Sequence, residues 1–254
     1  MKDIHSFVII AEGENDNLEE CIKSIKKQSV KTNVLLITDN ENDFVMDIAS
    51  EYGLGVMIYH EDEMMNKYNF ALTCVSTELV TIVNQNDIYD RNYAKEVLKV
   101  YKNNPKASLI FTNCYEIFKD KKNIRNKRLF KRRMMVKWLK YYKFNNKKYF
   151  KKLALKYFNA LYPSSVTYVT SNLPHPFFED YSIYNEWVSY NKLVGDNLAW
   201  VYIKTPLVAY RSDALVENNE NIAIKKQIYK LFWPNWLIDF IYRKEDGNET
   251  IEKN

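Results

Sequence analysis

The chain has few glycines and no glycine-rich phosphate loop. Five glycines occur in 254 residues, and none stands in the spacing GxGxxG or GxxxxGK. Those spacings let a backbone turn tightly around a pyrophosphate or cradle the phosphates of a nucleotide. The sequence therefore disfavours dinucleotide-binding dehydrogenases and P-loop nucleotide hydrolases.

Cysteines and long apolar runs are also scarce. Cys21, Cys74 and Cys114 lie far apart, with neither disulfide nor metal-site spacing, which indicates a reduced, intracellular chain. The N-terminal apolar run is too short for the core of a signal peptide. No window approaches the roughly 20 apolar residues of a membrane span. We expect a cytoplasmic protein, soluble or attached at most to the inner face of the membrane.

The net charge of +5 conceals one strongly basic segment. Residues 119–156 contain 17 Lys and Arg against the single acid Asp120, whereas the rest of the chain has 20 basic and 31 acidic residues. A charge concentrated in this way predicts an anionic partner near the segment, or a solvated arm.

Apolar strands alternate with amphipathic helices through residues 1–115. The runs SFVII, NVLLIT and ELVTIVN are typical of buried strands, and Leu18, Ile22 and Ile25 share one face of a helix. The pattern predicts an α/β fold with a mostly parallel central sheet covered by helices on both faces. Ligands of such sheets lie beyond the carboxyl ends of the strands. Here those ends are polar and acidic, which suits the base and ribose of a nucleotide, or a diphosphate brought with a metal.

The second part, residues 116–254, has a different character. Residues 117–160 are basic, rich in tyrosine and predicted to be helical. A strand is predicted over LAWVYIKTPLVAY with a break at Pro206, and the tail 220–245 is predicted to be a helix interrupted at Pro234.

In its order of motifs the chain resembles family 2 glycosyltransferases with the GT-A fold. A strand ends in Asp39, the piece NKYNFAL matches an Ala-Arg-Asn helix at Asn69, and ELVTIVNQND matches a strand that runs into a metal-binding acidic triplet. Later, VYIKTPLVAYR matches a strand ending in Tyr-Arg, at Arg211. The resemblance covers roughly residues 5–213 without the basic segment; its specificity lies in the order of the pieces.

The resemblance implies the function and the donor-binding residues. It implies a hexosyltransferase-type enzyme that moves a sugar from a nucleotide-diphosphate donor, UDP rather than GDP, to a glycan, lipid-linked or protein acceptor by an inverting route. It places the chain in cell-surface polysaccharide or glycoconjugate synthesis. Residues 1–115 would bind the nucleotide-sugar and residues 116–254 the acceptor. The residues implied to bind the donor are Asp39, Asn69, Asn84, Asn86, Asp87 and Arg211.

The departures from the family fall on the chemistry. Asn84 and Asn86 stand where the family has metal-binding carboxylates, so Asp87 would be the one anionic ligand of a weakened Mn²⁺ or Mg²⁺ site, with Asn86 beside it. The asparagines could instead cap the turn. Lys and Arg of the basic segment could neutralise the diphosphate in place of a metal.

By its spacing to the Tyr-Arg strand, Glu186 stands for the family's catalytic base, with Asn185 before it and Asp180 as the rival. Either acid could also be ordinary negative charge at the start of a helix. With these substitutions, the competing hypothesis is a degenerate relative that binds a nucleotide or a partner without catalysis.

The basic segment leaves several interpretations open. Its interleaved aromatic and basic residues could contact an anionic membrane or a negatively charged or lipid-linked acceptor. The same pattern could bind RNA, which we rank last. The remaining interpretation is a set of solvated helices with aromatic core faces.

Overall fold

The computed structural model describes residues 4–39, 41–60, 66–119, 121–179, 184–212 and 222–248, with side chains up to residue 242. Within these ranges the strands are β1 (His5–Ala11), β2 (Asn33–Thr38), β3 (Gly55–Ile58), β4 (Leu79–Asn84), β5 (Ile88–Tyr89), β6 (Ala107–Phe118), β7 (Lys121–Asn123), β8 (Val166–Val169) and β9 (Ala199–Arg211). The α-helices are α1 (Asn17–Lys26), α2 (Asp43–Glu51), α3 (Lys67–Thr73), α4 (Tyr93–Asn103), α5 (Lys127–Val136), α6 (Lys148–Leu155), α7 (Asn185–Lys192), α8 (Ile222–Lys230) and α9 (Asn235–Asn248).

The sheet is parallel where β1, β2, β3 and β4 pair with one another. Its strand order is β3-β2-β1-β4-β8-β6-β9-β5, with β7 on β6. β1 pairs in parallel with β2 and β4, and β2 with β3, as the alternating strands and helices predicted. β8 runs antiparallel to both β4 and β6, so the second half makes the sheet mixed. β6 and β9 again run parallel.

Strand β1 shows why the sheet is covered on both faces. All seven of its residues are buried, and alternate side chains enter different cores. Phe7 and Ile9 join the core under α1, where Ile22 is fully buried. Val8 and Ile10 join the opposite core. A strand buried on both faces must be apolar throughout, which accounts for the run SFVII.

Three elements differ from the sequence prediction. β5 and β7 are short strands that their sequences do not signal. β9 is continuous through Pro206, because the pairing with β6 shifts register around Asn113 and accommodates the proline there. The predicted interruption at Pro234 is present, since α8 ends before it and α9 begins after it.

The basic segment is more varied than the helical stretch that was predicted. It contains β7, α5, a 3-10 helix at Lys137–Lys140 and α6. One of its lysines lies in the core: Lys151 is fully buried and donates to Asp196 Oδ1 at 2.6 Å and to the carbonyl of Leu193 at 2.9 Å. Part of the positive charge therefore anchors α6 to the chain after α7.

Both predicted halves build a single sheet. Strand β6 runs across the boundary at residue 115 and pairs along most of its length with β9. The division into a donor half and an acceptor half therefore stays a prediction about function. Across the described parts of the chain, every helix is too short or too polar to cross a membrane.

Candidate active site

The carboxyl ends of β1 and β4 are joined by side-chain hydrogen bonds. The backbone N–H of Glu12 donates to Gln85 Oε1 at 3.1 Å, and Gln85 Nε2 donates to the carbonyl of Glu12 at 3.0 Å. The two strands are parallel neighbours, so their ends meet at one edge of the sheet. Gln85 thus holds the first loop against the turn after β4.

Lys67 links a third strand end, that of β2, to this edge. It lies at the first turn of α3, whose N-cap Asn66 accepts from the backbone N–H of Tyr68. Its ammonium group lies 2.8 Å from Glu12 Oε1 and 3.6 Å from Asp39 Oδ2. Although burial lowers the pKa of Lys67, its hydrogen bond to Glu12 and the charges of Glu12 and Asp39 raise it overall. Lys67 therefore stays charged between two carboxylates.

Tyr68 connects this edge with the start of α7. The negative charge of Glu186 is the largest cause that raises the pKa of the Tyr68 hydroxyl, followed by burial and by the charge of Glu12. Tyr68 therefore lies near both acids. Burial raises the pKa of Glu186 itself, against the opposing effect of a hydrogen bond from its own backbone N–H. Asp39, Lys67 and Glu12 thus form one polar cluster, and the charge of Glu186 acts on Tyr68, the residue that follows Lys67 in α3.

The asparagines after β4 form a network of neutral amides. Asn86 Oδ1 accepts from Asn15 Nδ2 at 3.1 Å and from Asn17 Nδ2 at 2.9 Å. Asn84 Oδ1 accepts from the backbone N–H of Asn86 at 2.9 Å and from its amide Nδ2 at 3.1 Å. Each of the two oxygens already accepts two N–H groups.

Asp87 faces away from the asparagine network. It is 1% exposed, and the Tyr162 hydroxyl donates to both of its oxygens. Burial raises the pKa of Asp87 to about 7, against the lowering effects of hydrogen bonds from Ser164, Tyr162 and the backbone of Arg211. This carboxylate is enclosed by protein donors.

The side-chain oxygens of Asn84, Asn86 and Asp87 do not fit a hard divalent cation. Mg²⁺ and Mn²⁺ are bound by accessible, preferably anionic oxygens, whereas the oxygens of Asn84 and Asn86 accept amide protons and Asp87 is buried. In the part of the chain that is described, no cluster of three or more His, Cys, Asp or Glu side chains is placed to hold a metal.

Two further predicted residues have structural partners. Asn69 is buried; its Oδ1 accepts from the backbone N–H groups of Phe177 and Phe178, and its Nδ2 donates to the carbonyl of Phe178 at 2.8 Å. It thereby fixes the segment that leads to α7. Arg211 forms an ion pair with Glu20 of α1. The rival base, Asp180, lies outside the described residues.

Sequence reasoning missed the parts played by Lys67, Glu12 and Tyr162. Only Tyr68 carried a signal, because it replaces an arginine of the family pattern. A lysine in the first turn of a helix has no distinctive pattern, and its two carboxylate partners are 55 and 28 positions away along the chain. Nothing in the sequence alone pairs Asp87 with Tyr162.

Comparison with known proteins defines the class and then the family. Among solved structures, TarS from S. aureus in complex with UDP-GlcNAc superposes with a TM-score of 0.62 at 13% identity, over 92% of this chain and 69% of that one. The mannosyltransferase PcManGT from Pyrobaculum calidifontis, in complex with GDP-Man and Mn²⁺, gives a TM-score of 0.57 at 14% identity, over 89% of this chain and 61% of that one. The fold is that of the GT-A glycosyltransferases, as predicted.

Residues 6–166 match the glycosyl transferase family 2, and the chain belongs to that family. A search of curated proteins found no match.

Proposed function

We propose that the protein is an inverting hexosyltransferase that moves a sugar from a nucleotide-diphosphate donor to an acceptor in cell-surface polysaccharide or glycoconjugate synthesis. The proposal is supported by the ion pairs of Lys67 with Glu12 and Asp39 at the strand ends, and by the charge of Glu186 acting on the neighbouring Tyr68. A family 2 chain that had lost catalysis would need no partly buried acid at this place. We favour UDP over GDP because TarS, solved with UDP-GlcNAc, superposes with the higher TM-score of the two.

Glu186 is the proposed general base. An inverting transfer needs one group that takes the proton from the acceptor hydroxyl as that oxygen attacks the anomeric carbon. A base works best when its pKa lies near the working pH, and burial moves the pKa of Glu186 in that direction. The charge of Glu186 acts on the Tyr68 hydroxyl, and Tyr68 would orient Glu186 or contact the sugar.

The donor would bind along the strand ends. Asp39 follows β2 and would receive the base, while Asn84, Asn86 and Arg211 would contact the ribose and diphosphate. Asn69 would act through the segment at Phe177 that it fixes. Lys67 pairs with Glu12 and Asp39 at this edge and would exchange one carboxylate partner for a phosphate oxygen. Asp87 would support the turn from behind, and no step is assigned to a metal.

The basic segment is proposed to contact an anionic membrane surface or the acceptor it carries. Several of its aromatic side chains point to solvent, with Tyr142 at 85% and Tyr149 at 69% exposure, among lysines. Aromatic rings and lysines together suit a lipid interface. Binding to vesicles that contain anionic lipid, lost when Tyr142 and Tyr149 are both replaced by serine, would support this contact.

The test of function separates binding from catalysis. We would titrate UDP and GDP while following the thermal unfolding of the full chain, and measure hydrolysis of UDP-sugars. Glu186→Gln should abolish hydrolysis and leave UDP affinity unchanged. Glu179→Gln is the matched control, because Glu179 pairs with Lys192 nearby.

Two outcomes would contradict these assignments. Hydrolysis that survives Glu186→Gln but not Asp180→Asn would transfer the role of base to Asp180. If neither UDP nor GDP binds, the result would favour the competing hypothesis of a degenerate relative.

A further inference from the structure

A small cavity lies between α5 and strand β6, on the side of Tyr162 away from the asparagine network. Its volume is about 20 Å³, and its lining includes Arg132 and Arg133 from α5, Asn113 and Cys114 from β6, and Tyr162. Arg133 already has a hydrogen-bond acceptor, because its Nε donates to Asn113 Oδ1 at 3.1 Å. Arg132 is therefore the lining residue whose charge needs explaining.

Two nitrogens of the Arg132 guanidinium are buried without a hydrogen-bond acceptor. Its Nε and Nη1 atoms are inaccessible to solvent, and neither donates to any group in the described part of the chain. The residue as a whole is partly exposed, and burial lowers the pKa of its guanidinium. Buried donors without an acceptor are costly, and native proteins almost always pair such groups.

The rings around Arg132 add a second unsatisfied donor. Its guanidinium carbon lies 5.7 Å from the centroid of the Tyr162 ring, and the Tyr162 and Tyr210 rings are 4.4 Å apart. The Tyr210 hydroxyl is also buried, with no hydrogen-bond partner among the described residues. Arg128, one helical turn before Arg132, lies over the Tyr210 ring at 6.0 Å and is exposed.

The two carboxylates of this region, Asp87 and Glu116, already accept hydrogen bonds from other residues. Asp87 lies on the far side of Tyr162 and accepts that hydroxyl on both oxygens. Glu116, whose negative charge helps to raise the pKa of the Tyr210 hydroxyl, accepts a hydrogen bond from Asn126 Nδ2. Neither acid is a hydrogen-bond partner of Arg132, so the described structure brings a partly buried positive charge and unpaired donors together without supplying the negative group.

We propose that Arg132 binds an oxyanion, a phosphate or carboxylate, carried by the acceptor; Tyr210 does not line the cavity. That the oxyanion belongs to the acceptor rests on the proposed function, whereas the binding of an oxyanion by Arg132 does not. The cavity has room for about one water-sized group, so one oxygen would enter it while the rest of the oxyanion stays at the mouth. A water molecule could satisfy the donors, but only an anion neutralises the guanidinium.

The position favours the acceptor over the donor as the source. Tyr162 lines the cavity and donates to Asp87, and the backbone N–H of Asp87 donates to the carbonyl of Asn84. The contacts from the cavity to the turn where the donor diphosphate is proposed to lie therefore pass through these two residues. The cavity is covered by α5, which belongs to the basic segment. Arg128 places a second positive charge on the same face of this helix.

Inorganic phosphate is the probe. We would follow thermal unfolding of the full chain in phosphate, acetate and chloride at equal ionic strength, with and without UDP. Phosphate or acetate should raise the unfolding temperature more than chloride does, and the increment should persist when UDP is bound. Arg132→Met should weaken the apparent affinity for the oxyanion about tenfold or more, and Tyr210→Phe should weaken it less.

Lys131→Gln is the matched control, because it removes an exposed charge from the neighbouring position and should leave the oxyanion effect intact. Arg132→Met should fold at least as stably as the parent without phosphate, since it removes buried donors that have no acceptor. The proposal is overturned if phosphate and acetate act no more strongly than chloride, if Arg132→Met responds like the parent, or if UDP competes with phosphate. Failure of UDP to bind at all would count against the proposed function and leave this result standing.

Discussion

The hydroxyl of Tyr162 donates to both carboxylate oxygens of Asp87, at 3.0 and 3.1 Å. The sequence predicted Asp87 as a donor-binding residue and a metal ligand. Asp87 follows the asparagine turn along the chain, yet its side chain faces the interior, where Tyr162 lies between it and Arg132. The negative charge retained in the motif therefore serves the packing of β4 against the segment before β8.

Replacing Asp87 by asparagine should change how stability depends on pH. Burial raises the pKa of Asp87 from 3.8 to about 7, so the folded state holds a proton that the unfolded state has lost over this range. The wild type should therefore lose stability as the pH rises from 5 to 8, by roughly 3 kcal/mol more than Asp87→Asn does. Urea unfolding of both proteins at the two pH values measures the difference.

Asp90→Asn provides the control for this prediction, because Asp90 is an exposed aspartate that follows β5. Its stability should follow that of the wild type at both pH values. A gap between the wild type and Asp87→Asn that stays constant with pH would show that the carboxyl group does not titrate in this range.

The titration of His5 should change stability in the opposite direction, with a loss as the pH falls. It is fully buried at the start of β1, hydrogen-bonded to Thr81, and burial lowers its pKa from 6.5 to about 3. The unfolded state binds a proton below pH 6.5 that the folded state refuses, so stability is lost as the pH falls through this window. At pH 5 the loss should be roughly 2 kcal/mol.

Guanidinium unfolding at pH 7 and pH 5 tests the effect of His5. His5→Gln keeps a donor for Thr81 and should remove most of the acid sensitivity, whereas His60→Gln, at an exposed position, should not. Equal loss of stability in the wild type and His5→Gln would contradict the prediction.

The sequence predicted the sheet because its strands are marked by local signals. β1, β2 and β4 are apolar runs, and each ends in polar residues, which predict a ligand edge there. The direction in which a side chain points is not a local property. Asp87 and Asn86 are adjacent in sequence, but one is buried against Tyr162 and the other lies in the amide network.

The basic segment illustrates the same limit. Its charge predicted a solvated arm or an anionic partner, and a lysine such as Lys148 is indeed exposed. Lys151, three residues later, is fully buried because the loop after α7 supplies a carboxylate and two carbonyls. Neither that pairing nor the packing of Arg132 against the ring of Tyr162 can be predicted from composition, since both depend on contacts between distant parts of the chain.

The pair formed by Lys151 and Asp196 should be strongly coupled. Lys151 is fully buried, so Asp196→Ala leaves its charge with carbonyl partners only. Because the Asp196 side chain is 28% exposed, we expect a loss of about 2 kcal/mol rather than the larger cost of a fully buried pair. In a Lys151→Met background the same change should cost about 0.5 kcal/mol or less.

A double-mutant cycle measured by urea unfolding tests this coupling, with Lys148→Met in place of Lys151→Met as the control. The control background should leave the cost of Asp196→Ala unchanged. Additive losses for Lys151→Met and Asp196→Ala would mean that the pair contributes little.

Restoring carboxylates after β4 should create a dependence on metal. In the wild type, the oxygens of Asn84 and Asn86 accept amide protons and carry no charge, so the rise in unfolding temperature caused by UDP should be similar in Mn²⁺ and in EDTA. In the Asn84→Asp, Asn86→Asp double variant, two accessible carboxylates can bind Mn²⁺ together with the diphosphate. UDP should then bind about tenfold more tightly in Mn²⁺ than in EDTA. In EDTA the variant should bind UDP more weakly than the wild type, because like charges repel. UDP binding by the wild type that required Mn²⁺ would refute the interpretation of these asparagines, and would mean that the amide network opens when the donor arrives.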